Sequence, residues 1–171
     1  IRGVTVLFGG FEGTYHDETW EWDGSNWTLR ASAGPSARTG QAMAYDSARG
    51  VTVLFRGSIG GDETWEWNGE AWVLRATTGP SPRRYPALTY DSARGVIVLF
   101  GGETVDPDNE NGETWEWDGN TWSFRATSTL KPRQDHAMAY DTGRAVIVLF
   151  GGEMGFPSYD NGETWEWNGS S

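Results

Sequence analysis

Glu18-Thr19-Trp20-Glu21-Trp22 returns intact as Glu63–Trp67, Glu113–Trp117 and Glu163–Trp167. The first Trp of each copy falls at Trp20, Trp65, Trp115 and Trp165, so the copies stand 45, 50 and 50 residues apart. Two further motifs keep step with it. Val-x-Val-Leu-Phe ends at Phe8, Phe55, Phe100 and Phe150, and Tyr-Asp-x-x-Arg begins at Tyr45, Tyr90 and Tyr140. Three motifs in one order, copy after copy, make the chain a repeat array.

Each period reads as four short strands. In the last two copies these are Ala137–Tyr140, Val146–Phe150, Thr114–Trp117 and Thr121–Arg125. All are rich in β-branched or aromatic residues and bounded by Gly, Asp, Asn or Pro. No segment holds a 3.6-residue apolar period, so helix is not expected. Asp23-Gly24, Asn68-Gly69, Asp118-Gly119 and Asn168-Gly169 mark the turn after the third strand, because these pairs accept positive φ. A four-residue loop, Asp23 to Asn26, sets Trp22 opposite Trp27 and Trp20 opposite Leu29. That gives one apolar face. Thr19, Glu21, Thr28 and Arg30 take the other face, where Glu21 and Arg30 can pair diagonally. A two-residue loop would leave Trp22 beside Ser25, a poorer match.

A four-stranded unit repeating at this interval is a propeller blade. The diglycines Gly9-Gly10, Gly101-Gly102 and Gly151-Gly152 follow the second strand, an aromatic follows in the third, and a Trp opens the fourth. Pro82-Arg83 and Pro132-Arg133 precede the first strand, with His136 after the latter. On these residues the whole chain resembles the kelch repeat family, in its bacterial form with Thr-Trp-Glu-Trp third strands. It departs from that pattern at Arg56-Gly57, which replaces a diglycine. It also carries Trp22, Trp67, Trp117 and Trp167 where the family usually has Tyr, and a shorter turn before the fourth-strand Trp. The expected fold is therefore all-β: a kelch-like β-propeller array over residues 1–171, four repeats of four-stranded antiparallel blades, about 14 strands. Blade 1 is partial (1–34), blade 2 spans 35–79, blade 3 spans 80–129 and blade 4 is partial (130–171).

Four blades at the pitch of a seven-bladed ring would sweep only roughly 200°. The end faces of such an arc carry apolar surface that a neighbour would cover. A homodimer closing one ring of about eight blades is the favoured expectation. A self-closed four-bladed ring and a piece cut from a longer array are the other two. The chain begins at Ile1, so it is read as processed, trimmed or excerpted.

Composition narrows the chemistry. The chain has 171 residues and no Cys, which removes disulfides, thiol nucleophiles and Cys-based zinc sites. The net charge of −11 disfavours nucleic acid and anionic membranes as partners, and is read as serving solubility. No apolar run is long enough to cross a membrane as a helix. Eleven Trp and 24 Gly fit many short strands joined by tight turns. The compartment is left open, with an extracellular or envelope setting favoured.

The links from second to third strand differ between copies, running Phe11–Glu18, Ser58–Glu63, Glu103–Glu113 and Glu153–Glu163. Variable loops on a repeated scaffold are where binding usually sits, and the kelch resemblance places ligands on this rim. Tyr15, His16, Phe156 and Tyr159 come from these links; Arg38, Arg83, Arg84, Arg133 and His136 come from the links between blades. Together they suit a carboxylated sugar, a protein segment or an acidic peptide. Arg38, Arg83 and Arg133 recur at equivalent positions, so the preferred reading pairs them with rim acids. Asp106, Asp108 and Glu110 place oxygen ligands at alternate positions, as calcium requires. Gly112 comes one place late for an EF-type loop, and one copy alone has the pattern, so a solvated acidic loop is preferred. Glu18, Glu21 and their repeats recur in every copy, unlike a catalytic pair, and are read as facing Arg30, Arg75 and Arg125. No catalytic residue, metal or cofactor is called.

Three functional readings follow. The first is a non-catalytic scaffold that binds protein or ligand and completes its ring by self-association. The second, implied by the resemblance, is a kelch-class sugar-acid isomerase or lyase using rim Arg and His136. The third is a fragment or engineered array with no function of its own.

Overall fold

A computed structural model describes residues 3–57, 62–104, 110–127, 130–154 and 159–170. Within them the chain is all-β and antiparallel. The first sheet holds β1 (Thr5–Phe11), β2 (Tyr15–Trp22) and β3 (Trp27–Ala31). The second holds β4 (Ala42–Asp46), β5 (Val51–Phe55), β6 (Thr64–Trp67) and β7 (Trp72–Ala76). The short β8 (Arg83–Arg84) precedes the third sheet, made of β9 (Ala87–Asp91), β10 (Val96–Phe100), β12 (Glu113–Trp117) and β13 (Trp122–Thr127). The fourth sheet holds β14 (Ala137–Asp141), β15 (Val146–Phe150) and β18 (Thr164–Trp167). Two-residue ladders join β8 to β11 (Glu103–Thr104), and β16 (Glu153–Met154) to β17 (Tyr159–Asp160). Every larger sheet follows chain order, so each is a simple meander. The first strands lie side by side, β4 against β9 and β9 against β14. Sheets in series around adjoining first strands are consistent with a propeller-like fold.

The registers follow from turn chemistry. Trp22 pairs with Trp27 and Trp20 with Leu29, as a four-residue loop demands. Asp23 holds that loop by accepting the amides of Ser25 at 2.7 Å and Asn26 at 2.8 Å. Asn68 and Asp118 repeat the arrangement. The expected diagonal pair also forms, with Arg30 Nε 3.3 Å from Glu21 Oε2. One link differs from expectation. Phe11–Glu18 is not an open loop: β1 runs on to Phe11 and β2 starts at Tyr15, with Gly10 opposite His16. A bulge between Phe8 and Gly10 absorbs the register change.

The sheets are joined face to face by a repeated contact. The indole of Trp67 donates to Glu21 Oε1 of the first sheet at 2.9 Å, and Trp72 donates to Thr19 Oγ1 at 2.7 Å. One junction on, Trp117 donates to Glu66 at 3.2 Å and Trp122 to Thr64 at 2.8 Å. Trp72 and Trp122, which open β7 and β13, also meet a Phe edge-on: Trp72 on Phe8 at 5.2 Å and Trp122 on Phe55 at 5.3 Å. At these two junctions the Trp face of one sheet therefore lands on the Thr/Glu face of the sheet before it. This explains why β5, apolar but for Thr52, is buried throughout, since sheets cover both of its faces.

Candidate functional site

The links that lead into the first strands gather at one rim, and their arginines are its most buried parts. Arg38, Arg83 and Arg133 have essentially no exposure. Each turns its Nε onto a carbonyl two residues back, Ser36, Ser81 and Lys131 respectively. Each also grips the Glu that opens the third strand of its own sheet. Arg38 reaches Glu63 at 3.0 Å, Arg83 reaches Glu113 at 2.7 Å and Arg133 reaches Glu163 at 3.2 Å. This corrects one sequence reading. The opening Glu of the third strand does not face the Arg30 series; that partner belongs to Glu21, Glu66 and Glu116. The two glutamates in each motif are an even number of residues apart plus one, so they leave the strand on opposite faces. Burial works against the Glu113 carboxylate, but hydrogen bonds from Arg83 and Trp115 outweigh it and hold it below the usual range.

The diglycines fit around these arginines. Gly10 N donates to Arg38 O and Gly102 N to Arg133 O, each at 2.9 Å, across the junction between sheets. Arg133 also donates to Gly151 O and Arg83 to Gly101 O. A Cβ on Gly101 would sit 2.5 Å from the Arg133 carbonyl oxygen, at φ 68°, so both space and backbone call for glycine there. The second sheet places Arg56 at this position, buried and at φ 38°. Burial lowers the Arg56 pKa, opposed by Asp62 at 3.3 Å and reinforced by Arg38. Arg38 Nη1, beside it, is buried without a partner.

His136 is wedged at the last junction, with its ring edge-on to Phe100 at 5.4 Å. Neither ring nitrogen makes a hydrogen bond of regular geometry, although the Phe100 backbone lies near enough to favour the charged form slightly. Burial, then the Arg133 charge, push its pKa down to about 4, so it stands neutral at pH 7. Gln41 fills the same place in the second sheet and donates to Phe8 O at 2.7 Å. Gly40, Tyr85 and Asp135, also equivalent, are all left-handed. They are stitched across the sheets: Tyr85 N donates to Gly40 O and Asp135 N to Tyr85 O. Burial raises the Asp135 pKa, helped by Glu153 and Glu103.

The remaining expected site residues are spread around this rim. Arg84 is exposed, paired with Glu103 at 2.6 Å and lying 5.7 Å over the Tyr85 ring. Tyr15 is exposed and packs on Phe11. His16 lends its carbonyl to Arg38 N. Tyr159 is exposed, with Lys131 Nζ 3.5 Å from its hydroxyl. Phe156, Asp106 and Asp108 lie outside the described residues, and Glu110 forms a backbone bridge with Glu103. Sequence reasoning missed Gln41, Gln134 and Arg56. The signal was present, since each stands where another copy has a different side chain; that Gln41 Oε1 and Gln134 Oε1 are buried without a partner is seen only in the structure.

No family model matches the chain, and no curated protein matches it. Solved structures do. "Structure of YjhT" superposes with a TM-score of 0.74 at 12% identity, covering 89% of this chain and 48% of that one. The chain thus spans about half the length of that protein, and the likeness concerns the fold.

Proposed function

We propose that the chain is a four-bladed arc of a kelch-type propeller, a binding scaffold whose ring is completed by a second copy. The observation that carries this is the complementarity of its two end faces. The first sheet exposes Trp27, whose counterparts Trp72 and Trp122 are packed on Phe8 and Phe55 of the sheet before. The fourth sheet exposes Phe150 and Glu166, whose counterparts Phe55 and Glu66 receive indoles inside the molecule. Each end therefore offers one half of a contact already made twice within the chain. Such a pairing is head-to-tail, and it ends in a ring only if the rotation closes. The rim of Arg84, Tyr15 and Tyr159, backed by the arginine layer, would then serve an acidic peptide or a carboxylated sugar.

Light scattering after size exclusion, over a dilution series, tests the assembly. The expected mass is twice that of one chain, returning to a single chain in Trp27→Glu. A single-chain mass at every concentration, or a mass rising without limit, would overturn it. Calorimetric titration with glucuronate and with a poly-Glu peptide tests the rim. Heat that vanishes in Arg84→Ala is expected, and no heat with either ligand removes that assignment.

A further inference from the structure

The first strands β4, β9 and β14 lie side by side, and their two ends differ in chemistry. The links that enter them carry the arginine rim. The hairpins that leave them border a cavity of about 390 Å³, a size that suits a small ligand. Its lining residues fall between Met43 and Thr142, within the second, third and fourth sheets. Among the described residues no charged side chain lines it.

The wall is held by a contact made at both junctions. The Tyr90 hydroxyl meets the Asp46 carboxylate and the Ala48 amide of the sheet before it, and Tyr140 meets Asp91 and Ala93 in the same way. Asp46 also accepts the Arg49 amide and guanidinium, and Asp91 those of Arg94. Both aspartates are buried. Their charge is thus compensated behind the wall, while Tyr90 and Tyr140 line the cavity itself.

Hydroxyls supply the rest. Ser47, Ser92 and Thr142 stand at one equivalent position, each following its aspartate, and all are exposed at the mouth. Deeper in, the third sheet differs from its neighbours. Thr89 stands opposite Val98 where Ala44 stands opposite Val53 and Ala139 opposite Val148. Thr89 is 9% exposed and lines the cavity, and its hydroxyl makes no hydrogen bond among the described residues. Its partner therefore comes from what fills the cavity.

We propose that this cavity binds a neutral saccharide of one or two rings. The tyrosine rings give apolar surface for the C–H face of a sugar. The hydroxyls of Thr89, Ser92 and Thr142 donate or accept as each sugar hydroxyl requires. A charged ligand would leave its charge unpaired here, which is costly away from water. The site goes beyond the scaffold proposed above and lies at the other end of the first strands from the rim. Failure of one leaves the other standing.

Calorimetric titration of the intact chain with maltose, cellobiose and lactose tests the site. Saturable heat with at least one of the three is expected. Thr89→Ala copies Ala44 and Ala139 and so suits the strand; it should weaken binding several-fold, and Thr89→Ser, which keeps the hydroxyl, should restore it. Arg84→Ala, on the rim, should leave binding unchanged, and glucuronate should not displace the sugar. No saturation by any of the three up to about 10 mM would overturn the proposal. Equal binding by Thr89→Ala would overturn it as well. So would loss of binding in Arg84→Ala or displacement by glucuronate, since the sugar would then sit on the rim.

Discussion

Glu66 and Glu166 hold the same place in the second and fourth sheets, and their surroundings could hardly differ more. The Glu66 side chain is 1% exposed and takes donors from Arg49, Arg75 and the Trp117 indole. The Glu166 side chain is 48% exposed and takes Arg144. Trp72 and Trp27 repeat the contrast: the first is 8% exposed and the second 48%. The glutamates stand in the same Thr-Trp-Glu-Trp motif and the two Trp open equivalent strands, so the difference comes from the strands and sheets packed around them. A buried carboxylate is tolerable only when its oxygens are filled with donors. The middle of the molecule meets that demand with the next sheet's indole.

The largest expected effect tests this contrast directly. Trp122→Ala removes a side chain packed on Phe55 and bonded to Thr64, and should cost about 3–5 kcal/mol in urea unfolding. Trp27→Ala, half exposed, should cost less than about 1 kcal/mol in a chain kept monomeric by dilution. Equal costs would mean that the end sheet is buried in solution, and would move the balance toward a closed assembly.

The junctions can be separated by pH. Unfolded His136 titrates near 6.5 and folded His136 near 4. Between those values the unfolded chain binds more protons, so unfolding free energy falls as pH drops from 6.5 to 4. The full effect is at most about 3 kcal/mol. His136→Gln, which copies Gln41 of the second sheet, should flatten stability across that window. A slope unchanged in the variant would show that His136 is charged or solvated in the folded chain.

The smallest effect concerns the one irregular copy. Arg56 holds a left-handed backbone where Gly9, Gly101 and Gly151 stand in the other sheets. Arg56→Gly should raise stability by about 1 kcal/mol, the strain relieved exceeding the Asp62 pair lost. A loss of stability instead would show that Arg56 braces the rim against Arg38 and Asp62 more than its backbone costs.

Much of this was legible in the residues. The order of motifs, the Asp-Gly turns and the two-residue alternation determined the strands, the hairpin registers and the Glu21–Arg30 pair. These depend on contacts between neighbours in sequence or across one turn, and such contacts are written in local spacing. The rim was only half visible. Arg38, Arg83 and Arg133 could be recognised as a recurring set, but not that each would close on the Glu opening its own third strand, nor that Gln41 and His136 share a position. Those facts arise between segments far apart in the chain. The hand-over of each indole to the glutamate of the preceding sheet is of the same kind. Sequence by itself determined two faces for every sheet, one of Trp and one of Thr and Glu. Only the tertiary structure decided which face meets which, because that choice rests on the stacking of whole sheets. It is the same stacking that leaves Trp27 uncovered at one end and Glu166 uncovered at the other.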